Sequence, residues 1–341
     1  MNRPPHTPTP RRGQRGAALL MAMIIVSLVA TLAVGMVWQQ WQAVQVESAE
    51  RSQAQARWIL NGALDWARLI LREDARSGKV DHLGEPWAVP LAPARLSSFL
   101  AADRNNNSEV DAGLDAFLSG SIRDAQARYN LRNLVQQGQI QAAELQSLQR
   151  LCEILGLAPA VAGQIAEGLR RAQPGNQAEA GNSTSQRVPL PPNDVGQLTW
   201  LGLDAATVER LAPHVALLPE RTPVNLNTAG REVLAAVLPK GDLGSAQRLI
   251  ASRQRQHFES LEKAQSLLGE DAGTLDAQRL DVRTRYFEVV GLMQLEQLSV
   301  AQMTLLERRD RELRVLGVRR LPVDGDTLAA GPGQIARSLQ Q

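Results

Sequence analysis

The residues with the greatest capacity for chemistry lie between Asp103 and Gly113, where Asp103, Asn105, Asn107, Glu109 and Asp111 alternate along a loop. Hard cations such as calcium take carboxylate and amide oxygens at this spacing, and the first, third, fifth and ninth places of an EF-hand loop are filled by oxygen donors. Ser108 stands where that loop needs glycine, and Leu114 where it needs a bidentate glutamate, with Asp115 one residue late. These departures favour a solvated loop; a structural calcium on Asp103, Asn105, Asn107 and Asp111 is the other reading. His6, His82, His214 and His257 are scattered, and Cys152 sits among Leu151, Ile154 and Leu155, where a packed thiol is expected. There is no glycine-rich phosphate loop and no zinc spacing. A triad assembled in space leaves no local mark, but nothing here points to one, so the expectation is a protein that is not an enzyme.

Elements must position whatever chemistry exists. With 341 residues, 44% apolar and 21% charged, the chain can bury two cores beside a membrane segment. Its net charge of +2 gives no general polyanion-binding surface. Residues Ala17 to Val37 are uncharged and rich in Leu, Ile, Val, Met and Ala, which at 1.5 Å per residue matches the roughly 30 Å of a bilayer core. Arg3, Arg11, Arg12 and Arg15 precede this run and no basic residue follows it closely, so the N-terminus belongs in the cytoplasm and the body outside. A conventional secretory signal cut after Thr31-Leu32-Ala33 is an alternative.

Helical spacing continues past the membrane through Ile59, Ala63, Trp66 and Ile70, which predicts one helix to about Ala75, on the order of 90 Å long. A plain signal anchor with a helical stalk would show the same pattern. After Gly78 the chain turns Pro-rich. Ile122 to Ala125 reads as a strand, and Asn130 and Asn133 as side chains bonded to local backbone at a helix start. Ala142 to Ala172 reads as two helices broken at Gly156 and Pro159, followed by a polar linker from Gln173 to Gln186. Further helices are expected at Val195–Leu201 and Ala205–Ala212. Another opens at Pro223–Ala229, capped by Asn227 or Thr228, with a tight turn at Gly241 and Gly244 before Ala246, Leu249, Ile250 and Arg253. Arg285–Leu292, Ser299–Arg308 and Glu312–Arg319 read as strands, although Leu298–Leu306 also fits a helical period. From Leu321 the composition is that of a tail.

Three stretches carry a resemblance. Gln14-Arg15-Gly16 followed by Ala17-Ala18-Leu19-Leu20 resembles a type IV prepilin leader; the segment from Asp81 to Pro90 and that from Leu118 to Leu134 resemble the K-type minor pseudopilins of bacterial type II secretion systems. The resemblance implies cleavage by prepilin peptidase between Gly16 and Ala17. The fifth mature residue, usually a glutamate that neutralises the neighbouring subunit's amine, is Met21 here, which implies a tip position with no subunit ahead. It implies an α+β fold: a pilin-like long N-terminal helix packed on a small antiparallel sheet, with a large inserted all-α domain of helix-hairpin-helix or SAM-like type. The divisions are 1–16 leader, 17–38 transmembrane, 39–76 extracytoplasmic helix, 77–128 with 277–320 pilin-like domain, 129–276 inserted helical domain, 173–186 linker and 321–341 tail. Implied partners are the I- and J-type minor pseudopilins, other pseudopilins, prepilin peptidase and the inner membrane, with a role in starting or capping the pseudopilus that exports folded proteins. Pseudopilins use structural calcium, which strengthens that reading of the Asn-rich loop. The hairpin-like region is shared with DNA-binding proteins. Between Asn225 and Glu270, however, six basic residues meet five acidic ones, so an anchored DNA receptor is the alternative and nucleic acid is not expected.

Overall fold

The computed structural model describes residues 15–78, 80–96, 116–173, 190–269, 273–295 and 298–323. The calcium candidates Asp103, Asn105, Asn107 and Asp111, the linker from residue 174 and the tail from residue 324 lie outside them. The chain forms two compact units, residues 1–55 and 56–341. Helix α1 (Arg15–Ser77) runs for 63 residues.

In the first unit α1 is uncharged from Ala17 to Val46, and its large apolar side chains are exposed on every side. Ser27 Oγ donates to the Met23 carbonyl at 2.5 Å and Thr31 Oγ1 to the Leu28 carbonyl at 2.9 Å. Both hydroxyls are thus satisfied within the helix, as a lipid environment demands.

In the second unit α1 becomes amphipathic: Ala56, Leu60, Ala67 and Leu71 are buried while Trp58, Trp66 and Leu69 are exposed. The buried stripe packs on an antiparallel sheet of β1 (Leu91–Arg95), β2 (Ala116–Asp124), β9 (Tyr286–Leu295), β10 (Leu298–Arg309) and β11 (Glu312–Leu321), in the order β1-β2-β9-β10-β11. Ala67 and Leu71 meet Phe287, Val289, Leu306 and Leu313; lower on the helix Ala56 and Leu60 meet Leu118, Met293 and Leu295. Gly120 faces Gly291 across β2 and β9. A Cβ on Gly291 would lie 2.9 Å from Leu60 Cδ2, so glycine is what lets the helix approach the sheet there.

The ambiguous piece Leu298–Leu306 is strand, because tight pairing with β9 on one side and β11 on the other satisfies its backbone. The last strand runs past Arg319 to Leu321, since Leu321 and Val323 pack with Leu292 and Ala301.

Between β2 and β9 the chain leaves the sheet. The short strands β3 (Tyr129–Asn130) and β6 (Val215–Ala216) pair in parallel, β4 (Val135–Gln136) and β5 (Gln139–Ile140) form a hairpin, and β7 (Val224–Asn225) and β8 (Leu280–Asp281) pair in parallel. Around them pack α2 (Ala142–Ile154), α3 (Ala160–Ala172), α4 (Ala205–Leu211), α5 (Arg231–Val237), α6 (Leu243–Arg253) and α7 (Leu261–Leu268). Leu148, Leu151, Ile165, Leu198, Leu211, Leu234 and Leu249 share one core. Cys152 is fully buried in it, and burial pushes its thiol up to about 11.

Gly156 at φ 67° breaks α2 from α3 as expected. Val195–Leu201 is a 3-10 helix capped by Asp194. One expectation fails: neither Asn227 nor Thr228 caps a helix. Val224–Asn225 is strand, α5 begins at Arg231, and the Asn227 and Thr228 side chains reach distant partners instead. Gly244 is also no turn residue; it lies in the first turn of α6, which Asp242 caps by accepting from Ser245 N at 2.6 Å.

Candidate functional site

The end of α1 and the segment from Asp81 to Trp87 close on one arginine. Arg308, near the end of β10, donates Nη1 to Asp74 Oδ2 at 2.8 Å, and Nη2 to Asp81 Oδ1 and to the Thr284 carbonyl, the latter at 3.0 Å. Its guanidinium lies 4.7 Å from the Phe287 ring centroid. Asp81 Oδ2 accepts from Thr284 N at 2.7 Å, and Glu85 Oε2 accepts from His82 N at 2.9 Å and from Trp87 Nε1 at 2.7 Å. The Trp87 ring is buried edge-on against Phe287. The motif that carried the resemblance therefore seals the top of the helix–sheet core.

The carboxylates here are held away from water. Burial, then the charge of Glu85, pushes Asp74 up to about 6 against the pull of Arg308; burial also raises Asp81 and Glu85. Oxygens of Asp74, Asp81 and Glu85 lie within 4.8 Å of one another, a spacing that suits a cation, but Arg308 already occupies two of the three.

A second buried carboxylate joins the sheet to the helices. Asp124, the last residue of β2, accepts from Gln126 N at 2.7 Å, Asn225 Nδ2 at 2.9 Å and Thr228 Oγ1 at 2.6 Å. Burial pushes it up to about 6 even so, with the Thr228 and Thr284 hydroxyls pulling downward. Asn225 Nδ2 also donates to the Asp81 carbonyl at 3.1 Å, which links the two clusters.

Asn130 and Asn133 do more than close a local turn. Asn130 Oδ1 accepts from Arg132 N as expected, but Nδ2 donates to the Glu220 carbonyl at 2.7 Å, and Asn133 exchanges two bonds with the Thr222 backbone at 2.8 and 3.1 Å. Sequence alone singles out none of Arg308, Asp124 and Asn225, and offers Thr228 as a helix cap rather than as a partner of Asp124. Only Arg308 left a trace: two residues beyond Leu306, it falls on the strand face that meets α1.

An apolar cleft of about 600 Å³ opens beside the helix, lined by Ile59, Ala63, Trp66, Ile70, Val89 and Leu91 among others. Among the described residues no catalytic arrangement accompanies it. His82 and His257 stack with ring centroids 3.8 Å apart, and burial lowers the His82 pKa. Four of the six cations of the hairpin-like region are engaged within the chain: Arg253 donates to the Leu226 carbonyl at 2.5 Å, Arg248 to Ser245, Lys263 to Glu259 and Arg231 to Glu232.

At the other end of α1, Gly16 and Ala17 lie in its first turns, and Met21 is exposed with the apolar run. The helix is continuous across the Gly16–Ala17 bond and onward, so the whole apolar run belongs to one element.

Comparison with known proteins accords with this architecture. Models of the family described as "Type II secretion system (T2SS), protein K" match residues 127–220 and 224–283. The type II secretion system protein K of Pseudomonas aeruginosa is 30% identical over 328 residues, covering 90% of this chain and 92% of that relative; the Klebsiella pneumoniae protein of the same name is 30% identical over 73% of this chain and 78% of its own length. The crystal structure of the GspK-GspI-GspJ complex from the enterotoxigenic Escherichia coli type 2 secretion system contains a chain of the same fold, at a TM-score of 0.59 and 21% identity, covering 81% of this chain and 99% of that one. With a long N-terminal helix, an α+β body and 30% identity to the Pseudomonas aeruginosa protein over 90% of its length, the chain belongs to the type II secretion system protein K family.

Proposed function

We propose that the chain is the minor pseudopilin at the tip of a type II secretion pseudopilus, where it starts or caps the filament that exports folded proteins across the outer membrane. The observation that carries the reading is the unbroken apolar helix directly behind Gly16, on a chain whose family is that of protein K. Prepilin peptidase cuts between Gly16 and Ala17 and leaves the helix whole. The protein is single-pass in the inner membrane, N-terminus cytoplasmic and body periplasmic. Met21 in place of a carboxylate suits a subunit with nothing ahead of it.

I- and J-type minor pseudopilins are its partners, a reading supported by the Escherichia coli complex, whose chain shares this fold. The role is structural rather than enzymatic: its buried carboxylates are spent on Arg308 and on backbone and side-chain amides and hydroxyls. The body divides into a pilin-like part, 77–128 with 277–320, and an inserted helical part, 129–276, of helix-hairpin-helix character. Asp103, Asn105, Asn107 and Asp111 would supply the oxygens if the Asn-rich loop held a structural calcium, the alternative to a solvated loop. N-terminal sequencing of the mature protein tests the central claim: Ala17 is expected first, and Gly16→Val should accumulate as an unprocessed precursor. Normal maturation of that variant would overturn the prepilin reading.

A further inference from the structure

The sheet ends on an open edge. β11 pairs with β10, and among the described residues nothing pairs with its other side. Two side-chain contacts tie the strand near its ends: Arg68 Nη2 donates to the Leu313 carbonyl at 3.2 Å, and the Arg319 side chain pairs with Asp194 while reaching Met303 Sδ. Between the ties lie Arg314, Val315, Leu316, Gly317 and Val318, and the three apolar residues are 44%, 40% and 56% exposed. The Leu313 carbonyl, turned to Arg68, faces away from β10. Antiparallel alternation then turns the N–H and C=O of Val315 outward as well. Exposed arginines line and flank the window: Arg311 and Arg320, with Arg314 paired to Glu312 and Arg319 to Asp194, so that four arginines stand against Asp310, Glu312 and Asp194.

We propose that the β11 edge, over Arg314–Val318, receives an extended acidic strand from a partner protein and so extends the sheet by one strand. Main-chain hydrogen bonds supply the affinity in such strand addition, and alternate side chains the selectivity. The arginines select the partner's charge. A second copy of this chain is disfavoured on the same ground, because edge-to-edge pairing would set arginine against arginine. Arginines and the bulge between Leu305 and Leu306 are also devices by which an edge refuses all strands, and that is the competing role.

The test uses the full chain in detergent micelles and labelled peptides of about ten residues, a usual strand length, that alternate valine or threonine with glutamate. Fluorescence anisotropy should show micromolar binding, weakened about tenfold or more when alternate peptide nitrogens are methylated or when lysine replaces glutamate. Val315→Pro removes an outward N–H without touching the β10 pairing and should weaken binding to a similar degree; R314E/R320E should reverse the charge preference. Failure of the glutamate peptide to bind would overturn the proposal, as would equal binding of the methylated peptide, which would mean charge alone. Binding that emerges only in a chain ending at Val323 would also overturn it, by making the chain's own tail the occupant.

Discussion

Arg308 is the counter-charge for two buried carboxylates of the second unit, Asp74 and Asp81. Its removal leaves Asp74 and Asp81 buried with no counter-charge, and an uncompensated buried charge costs about 3–5 kcal/mol. Arg308→Met should therefore shift the urea midpoint of unfolding strongly downward, whereas Arg320→Met, on an exposed position of β11, should leave it within about 0.5 kcal/mol. Asp124 makes a different prediction. Burial holds its pKa at about 6, above the 3.8 of an unperturbed aspartate, so between those values the folded chain keeps a proton that the unfolded chain releases. The stability it contributes is present below about pH 4 and is lost as pH rises through 6; Asp74 acts in the same direction. In Asp124→Asn the fall in stability between pH 4 and 6, followed by urea titration at each pH, should be shallower than in the parent chain. An identical slope would mean that Asp124 is ionised throughout. Neither residue was legible beforehand, because a buried ionic hub is assembled from α1, β10 and the segment around Asp81, and no local spacing encodes the meeting.

The elements themselves were far more legible. The 3.6-residue spacing of Ile59, Ala63, Trp66 and Ile70 and the Gly156–Pro159 break announce α1 and the α2–α3 pair, since both rest on local patterning, although the buried stripe runs through Ala56, Leu60, Ala67 and Leu71 and leaves Trp66 exposed. Legibility ended where tertiary contact overrides local preference. Pro223–Thr228 resembles a helix start, yet β8 offers Val224 and Asn225 a ladder, and Asn227 is drawn away to the Phe258 backbone. The 3-10 geometry of Val195–Leu201 is likewise set by packing of Leu198 and Leu201 under α3, where Gly168 lies against Leu201. Two measurements belong at this scale. Gly291→Val would drive a side chain into Leu60 and should cost about 1–3 kcal/mol by overpacking the helix–sheet contact. Asp242→Ala removes the cap of α6 and should cost about 1 kcal/mol, read as earlier hydrogen exchange across Leu243–Ser245.

At the scale of the whole molecule, the apolar run of α1 fits an inner-membrane anchor. A charge near the middle of a membrane helix costs about 2.5–3.5 kcal/mol on insertion scales, so Ile25→Arg should move a measurable fraction of the protein out of the membrane pellet, while Trp58→Arg should not. The calcium reading is tested at this scale too: addition of a chelator should lower the melting temperature if Asp103, Asn105, Asn107 and Asp111 hold the ion, and Asp103→Ala should abolish that dependence. Family membership was legible from short stretches, the residues around Gly16 and the Asp81 and Leu118 segments, because they combine a proposed processing junction with residues that the fold packs tightly. The role of Asp81–Trp87 as the seal of a core was not, since it depends on Arg308 arriving from a strand more than two hundred residues later.

One buried atom has a practical consequence. The chain's single thiol, Cys152, has no surface exposed, and burial pushes it up to about 11, away from the thiolate form. The thiolate is the reactive form, so maleimides and spin labels meet a silent native background. A cysteine placed on β11 or on α1 then becomes the sole labelling address, and distances within the second unit can be mapped without first stripping the protein of a residue its core requires.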